Sequence, residues 1–371
     1  MNGFRHALGL LRRDPGYLPP WTAVLLCLAA VACTVSSEHA IAPSSPVERA
    51  QATLRIVHEA PAQQWSAYET QGDNRLVSVF VMHDLQPKPV VFLLQGSGCS
   101  PAFTVRASGR FDTTILFQDV LVPESRRVHF AVVEKPGVTP VRLTAGMTHE
   151  QQVQAFERAG HACTPTFYKN ATKPVRVADV LVAIAAVSAE PWARGMIVVG
   201  HSEGTHVATG VLRRARSGTV AGAALFASAG PVQFWSGSVS AGDASRERFQ
   251  SAFDRMRMLQ NAPDDFMYQG LPARRYKTFW LESTPIEDIR DSDVPLFVAQ
   301  GTRDGTVMAS DLFAMEAVRQ QPKRSLRYMV VDGGDHAFEM PDGTSRVATL
   351  FDDFLNWMLD PKRQTGIGLL R

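Results

Sequence analysis

The sequence lacks the patterns that mark most cofactor, metal and nucleic-acid proteins. Its 371 residues carry a formal net charge of +2, and no basic stretch interleaved with aromatic residues stands out, so nothing favours a nucleic-acid partner. It has no G-x-G-x-x-G and no Gly-Lys-Ser/Thr phosphate loop, which argues against a nucleotide site. No metal-ligand spacing occurs either. We therefore expect neither a cofactor nor a bound metal.

The apolar run near the N-terminus is too short to span a bilayer comfortably. It covers Trp21–Ala32, follows three arginines and ends in an A-x-A cleavage pattern, which predicts a secretory signal peptide over 1–33. An uncleaved membrane anchor is the alternative. Leu28–Cys33 also resembles a bacterial lipoprotein signal in which Cys33 becomes lipidated, although Ala30 stands where Leu or Val is usual. We expect an exported protein, either periplasmic or anchored to the membrane as a lipoprotein.

Cysteine is scarce, with four in the whole chain. Cys27 lies within the predicted signal peptide, and Cys33 is the lipidation candidate. Cys99 and Cys163 remain as an even pair in an oxidising compartment, where a disulfide can form; two separate buried thiols are the alternative. A disulfide would brace the loop near residue 99 against the excursion over residues 137–173.

The stretch Gly200-His201-Ser202-Glu203-Gly204 is the most informative in the chain. Met196–Val199 before it predicts a buried strand, and Thr205–Ala215 after it predicts a helix. A serine on such a turn exposes its hydroxyl, as in the nucleophile elbow of G-x-S-x-G enzymes. Glycine is required beside it because side chains would collide with the strand and the helix. Ser202 is the candidate nucleophile, and a glycine-rich turn with an idle serine is the alternative.

Two downstream loops offer partners for this serine. Residues 294–300 predict a strand whose exit loop holds Asp304, and residues 326–331 predict a last strand whose exit loop holds His336, before a helix over about 345–359. Open α/β sheets place their reactive groups at such strand ends. Asp304 could instead be a turn former beside Gly305.

From about residue 77 to residue 359 the chain resembles an α/β-hydrolase, on the motifs G-H-S-E-G, G-T-R-D-G-T-V and G-G-D-H-A-F. The last two motifs are similar to the acid and histidine loops of the dienelactone-hydrolase and prolyl-oligopeptidase branches. The chain order Ser202, Asp304, His336 is the order of this superfamily. Asp332 and Asp335 are alternative acids, but both lie awkwardly near His336 in sequence.

The resemblance also implies an oxyanion hole. One donor in this fold is the backbone N–H of the residue after the nucleophile, here Glu203, and the other comes from the loop after the third strand. That loop follows the apolar strand 88–94. It begins with Gln95, where many members of the superfamily have histidine, so the second donor is open between Ser97 and Gly98.

Alternating buried strands and helices predict the α/β class, with a mostly parallel central sheet covered by helices on both faces. We expect residues 34–70 to form a tether and N-terminal extension and residues 71–362 to form the α/β-hydrolase catalytic domain. About 65 residues separate the strand over 221–227 from the Asp304 strand, far more than an ordinary connection. This aromatic-rich and methionine-rich segment, about 231–290, predicts a helical cap that lines a substrate pocket; a satellite core is the alternative.

These predictions combine into an exported serine hydrolase that acts on a small-molecule acyl substrate, with a carboxylic ester as the default. A peptidase or thioesterase of the same fold is the nearest alternative. A non-catalytic binding protein on the same scaffold is a further one. The sequence makes no prediction of the oligomeric state.

Overall fold

The computed structural model describes residues 52–62, 64–227, 230, 245–360 and 369–370. The predicted signal peptide, Cys33 and the tether up to residue 51 lie outside the described residues. Within the described ranges, no helix combines the length and the apolar character needed to cross a membrane.

A ten-stranded sheet forms the centre of the molecule. In spatial order its strands are β1 (Arg55–His58), β2 (Trp65–Gln71), β3 (Leu76–Met82), β7 (His129–Val133), β4 (Lys88–Leu94), β9 (Ala193–His201), β10 (Val220–Phe226), β13 (Leu296–Gly301), β14 (Leu326–Val331) and β15 (Leu369–Leu370). Pairing is antiparallel from β1 to β7 and parallel from β7 onward. The sheet thus begins before residue 71, where the sequence predicts the catalytic domain to start.

Helices connect most of the parallel strands. They are α1 (Gln118–Glu124), α2 (His149–His161), α3 (Pro165–Asn170), α4 (Lys173–Ser188), α5 (Gly204–Arg214), α6 (Ser245–Asn261), α7 (Ala273–Tyr276), α8 (Pro285–Asp288), α9 (Val307–Gln320) and α10 (Val347–Leu359), with a π-helix over Lys277–Glu282. A small sheet joins β5 (Phe103–Val105), β6 (Phe111–Thr113) and β8 (Val141–Arg142), and β11 (Met267–Tyr268) pairs with β12 (Leu271–Pro272). Local signals set several helix starts. For example, α2 begins at a capping box formed by Thr148 and Gln151.

The sheet is buried on both faces. Successive residues of a strand point to opposite sides, so Val198 of β9 packs in the core shared with α4, α5 and α9. Its neighbours Ile197 and Val199 pack in the core shared with α1 and α10. The predicted fold class, a mostly parallel sheet between two helical layers, is confirmed.

The inserted segment between β10 and β13 contains α6, the β11–β12 hairpin, α7, the π-helix and α8. Leu259, Ala273 and Tyr276 pack together as a separate small cluster, and Phe279 joins the main core. Phe253 is exposed. The segment is therefore helical, and part of it forms a satellite core of its own.

A disulfide joins Cys99 to Cys163, across 64 residues of sequence. Cys99 is buried beside Phe167 and Ala171, so the bond lies in a small core between the loop after β4 and helix α3. It ties this loop to the excursion over residues 137–173. Closing so long a loop restricts the unfolded chain and thereby favours the folded state.

We expect the double variant Cys99→Ser/Cys163→Ser to unfold at lower denaturant concentration. A loop of this length corresponds to a loss of about 4 kcal/mol in the free energy of unfolding, measured by guanidinium titration of the oxidised protein. Wild-type protein kept in a reductant is the matched control and should lose a similar amount. Equal midpoints for the variant and the oxidised wild type would contradict the stabilising role of the bond.

Candidate active site

Ser202 lies on the sharp turn between β9 and α5. Its φ of 55° is in the left-handed region, a strained conformation for a residue with a side chain. Gly200 and Gly204 make the turn sterically feasible. A Cβ on Gly200 would lie 2.4 Å from the Gly204 oxygen, and one on Gly204 would lie 2.1 Å from the Leu94 oxygen. The strand, turn and helix of a nucleophile elbow are therefore present, with the two glycines filling the steric role predicted from sequence.

The structure brings Asp304 and His336 together. His336 Nδ1 lies 2.8 Å from Asp304 Oδ2, and the side chain of His336 is 45% exposed while that of Asp304 is only 4% exposed. Because the carboxylate accepts from Nδ1–H, the neutral imidazole carries its lone pair on Nε2. That nitrogen can accept a proton.

The Asp304 carboxylate is held by further donors. Gln300 Nε2 donates to Oδ2 at 2.8 Å, and the Thr306 N–H donates to Oδ1 at 2.9 Å. Burial alone would raise the pKa of Asp304, but the hydrogen bonds and the charge of His336 outweigh it and lower that pKa to about 2. The same hydrogen bond raises the pKa of His336 above its usual 6.5. Asp304 is thus an anion throughout the physiological range.

The competing acids have other partners. Asp335 Oδ1 accepts from the backbone N–H groups of Ala337 and Glu339, which shapes its own loop. Asp332 Oδ1 accepts from the Thr302 hydroxyl. The hydrogen bond to His336 Nδ1 is made by Asp304.

The elbow and the histidine loop are in contact through His201, the residue before Ser202. His201 Nε2 donates to the backbone oxygen of His336 at 3.0 Å, and the two rings have centroids 5.0 Å apart. Burial lowers the pKa of His201 to about 4, so His201 is neutral at physiological pH and adds no charge beside His336. The residue before Ser202 is therefore in direct contact with the loop that carries His336.

The loop after β4 lies against the serine. A Cβ on Gly96 would be 3.1 Å from Ser202 Cβ and 3.5 Å from its Oγ. Within the described chain, the N–H groups of Ser97, Gly98 and Glu203 donate to no protein acceptor. Their role as oxyanion donors stays a prediction.

Glu203 also has a buried side chain, which the sequence analysis did not anticipate. The residue is 1% exposed, and its carboxylate binds two arginines: Arg176 of α4, at 2.8 Å, and Arg275 of α7. Arg176 donates as well to the backbone oxygen of Gln95 at 2.7 Å. One guanidinium therefore joins the residue after the serine to the start of the loop after β4.

A second pair of charged residues holds the same loop from β7. Glu134 accepts from Gln95 Nε2 at 3.0 Å and from the Ala102 N–H at 2.8 Å. Lys135 Nζ donates to the backbone oxygen of Gly98 at 2.8 Å. Burial, followed by the charge of Arg176, lowers the pKa of Lys135 to about 7. The departure at Gln95 thus has a structural role, because both its side chain and its carbonyl anchor the loop.

Sequence reasoning named the backbone N–H of Glu203 but missed this cluster of charges. One signal was available: Arg176 is a cation in the largely apolar helix sequence over Lys173–Ser188. A second was the Glu134-Lys135 pair directly after the apolar strand β7. Neither signal reveals its partners, because Arg176 pairs with Glu203 of the elbow, and Glu134 and Lys135 bind the loop after β4.

Comparisons with known proteins found matches among solved structures only. No protein-family model matches the sequence, and no curated protein matches it. The Pyrococcus horikoshii acylaminoacyl peptidase is similar at a TM-score of 0.50 and 11% identity, over 82% of this chain and 43% of that chain. A Mycobacterium tuberculosis puromycin-hydrolyzing peptidase is similar at a TM-score of 0.51 and 16% identity, over 84% of this chain and 41% of that chain. Est1E from Butyrivibrio proteoclasticus, with ferulic acid bound, is similar at a TM-score of 0.51 and 11% identity, over 79% of this chain and 99% of that chain.

This chain therefore spans less than half the length of the two peptidases and nearly all of Est1E. Identities this low concern the fold alone. The order of the strands, the helices on both faces of the sheet and these structural matches show that the chain has the α/β-hydrolase fold.

Proposed function

We propose that the protein is an exported serine hydrolase that cleaves a carboxylic ester through a Ser202–His336–Asp304 triad. The observation that carries this proposal is the Asp304–His336 hydrogen bond at 2.8 Å, formed beside a serine on a strained elbow. A serine hydroxyl becomes nucleophilic when a positioned base accepts its proton and a carboxylate orients that base.

In the proposed reaction His336 Nε2 takes the proton of Ser202 Oγ as the oxygen attacks the acyl carbonyl. Asp304 holds Nδ1–H and stabilises the imidazolium that forms. His336 then returns the proton to the departing alcohol, which leaves an acyl-enzyme on Ser202. Water activated by the same imidazole releases the acid and restores the serine.

The negative charge on the carbonyl oxygen requires preorganised donors. The Glu203 N–H follows the nucleophile, as in the superfamily that the sequence resembles. Ser97 is the better second donor, because its N–H belongs to the peptide after Gly96, which lies against Ser202. The carbonyl of Gly98 is held by Lys135, which fixes the rest of the loop.

An ester is the default substrate class for the superfamily that the sequence resembles. Est1E, which the chain matches over 99% of that protein's length, has ferulic acid bound. Export is supported by the disulfide between Cys99 and Cys163, since such bonds persist in oxidising compartments.

Replacement of the nucleophile tests the triad. We expect Ser202→Ala to lower kcat for p-nitrophenyl esters by roughly 10⁴–10⁶ and to abolish labelling by a fluorophosphonate probe, with little change in thermal stability. Ser217→Ala, a serine in the turn before β10, is the matched control and should label as the wild type does. A Ser202→Ala rate within tenfold of the wild type would overturn the assignment.

The pH profile tests His336. Its hydrogen bond to Asp304 raises its pKa above 6.5, and catalysis requires the neutral imidazole. We therefore expect kcat/KM to fall as the pH drops through a midpoint above 6.5.

Asp304→Asn removes the charge that stabilises the imidazolium, so the residual activity should be roughly 10⁴-fold lower, with its midpoint at lower pH. A wild-type midpoint well below 6.5 would contradict this base.

Neutralising Glu203 tests the buried cluster. Glu203→Gln leaves Arg176 and Arg275 without their shared carboxylate, so we expect a loss of about 3–5 kcal/mol in the free energy of unfolding. At temperatures where the variant remains folded, kcat should fall more than KM changes, because the N–H aimed at the oxyanion is displaced. Glu316→Gln, which breaks the exposed pair with Arg319, is the control and should change neither quantity appreciably. Equal effects of the two variants would argue against a positioning role.

A further inference from the structure

A cavity of about 150 Å³ lies beside the proposed oxyanion loop. Its lining includes Gly96 and Ser97 of that loop and His201 of the elbow. Apolar side chains, among them Ile115, Phe117 and Phe156, also line the cavity, and we call them its apolar wall. A water takes up about 30 Å³ of liquid volume, so the space suits a substrate group of about four or five heavy atoms.

Lys135 adds a cation to this cavity, whose lining is part polar and part apolar. The residue is 5% exposed and lines the cavity. An ammonium group has three donors, and within the described chain the Gly98 oxygen is the acceptor that the structure gives to Nζ. The other two donors of the ammonium have no acceptor among the described residues, and Lys135 lines the cavity.

The charges around Lys135 do not balance. The charged groups that act on it are Arg176, Arg275, Glu134 and Glu203. Counted with Lys135 itself, these are three cations and two carboxylates, among the residues that the structure describes. Glu203 is bound by both arginines, and Glu134 is occupied by Gln95 and backbone N–H groups. Among these described charges, Lys135 is therefore the cation without a carboxylate of its own, which is costly in a buried site.

We propose that the cavity binds a carboxylate carried by the ester substrate, with Lys135 as its counter-ion. This inference rests on the proposed esterase function and names its substrate class: short esters that bear a free carboxylate. The apolar wall accommodates the carbon chain between the two carbonyl groups. The ammonium supplies charge-assisted hydrogen bonds at the far end.

Paired substrates test this specificity. Monoethyl succinate carries a carboxylate on the acyl side, and ethyl butyrate is the matching ester without it. Acetoxyacetate carries a carboxylate on the alcohol side, and ethyl acetate is the matching ester without it. Hydrolysis is followed by titration of the released acid. We expect the wild type to favour the carboxylate-bearing member of at least one pair by tenfold or more in kcat/KM, and the pair that shows this identifies the side. No preference in either pair would overturn the proposal.

Lys135→Gln removes the charge but retains a donor for the Gly98 oxygen. We expect this variant to reduce the carboxylate preference by about 10–100-fold, as the loss of a charged hydrogen-bond partner does. The ratio within a pair cancels any general loss of rate. Lys169→Met, at an exposed lysine of α3, is the control for lost positive charge and should keep the wild-type ratio. An unchanged ratio in Lys135→Gln would assign Lys135 to loop support alone.

The preference should also depend on pH. Burial lowers the pKa of Lys135 to about 7, so the ammonium is present below that value and is lost above it. The wild-type ratio should be largest below pH 7 and decline as the pH rises, whereas the ratio in Lys135→Gln should stay flat. A wild-type ratio that is constant from pH 6 to 9 would contradict the ammonium as counter-ion.

A binding measurement separates this inference from the proposed function. Calorimetry of wild-type protein with succinate requires no turnover, and we expect competition between succinate and monoethyl succinate. If no ester is hydrolysed yet succinate binds and Lys135→Gln abolishes the binding, the esterase proposal fails while the carboxylate site stands. If esters are hydrolysed but succinate does not bind to the wild type, the carboxylate site is wrong.

Discussion

The carboxylate of Glu203, buried between two arginines, is the interaction on which the geometry of the site depends. It follows the proposed nucleophile directly, so any shift of its side chain moves the elbow. Arg176 ties it to the β4 loop through the Gln95 carbonyl, and Arg275 ties it to the inserted segment. Breaking a buried ion pair leaves a charge without a partner, at a cost of several kcal/mol. The three segments are therefore held together as one unit.

The sequence predicted the features that are set by residues close together in the chain. The elbow is specified by an apolar strand, two glycines without room for a Cβ and a helix, all within about twenty residues. The apolar runs over 88–94 and 326–331 likewise predicted β4 and β14 with their observed bounds. Asp304 and His336 could be placed at strand ends, because parallel strands bring their carboxyl ends to one edge of the sheet. These inferences require no knowledge of distant contacts.

What the sequence could not predict depends on contacts between distant segments. Arg176, Glu203 and Arg275 lie on three elements, and nothing in the spacing of these residues pairs them. The oxyanion loop shows the same limit, because Gln95 was visible as a departure while its partner Glu134 was not. The first strands were also missed, because β1 has only four residues and is mostly exposed, which gives a weak periodic signal, and β2 is buried along most of its length without alternation.

The attachment of the inserted segment constrains how substrate reaches Ser202. Lifting α7 away from the sheet would separate Arg275 from Glu203 and leave a buried guanidinium without its carboxylate, while Glu203 would keep its pair with Arg176. Residues 273–282 are thus better suited to a fixed wall than to a hinged cover. Residues 114–117 and Phe156 border the cavity beside the oxyanion loop, and their side chains would limit what enters it. Variation in the size of these few side chains would change which acids the protein admits. The ion pairs of Glu203 with Arg176 and Arg275 would stay intact.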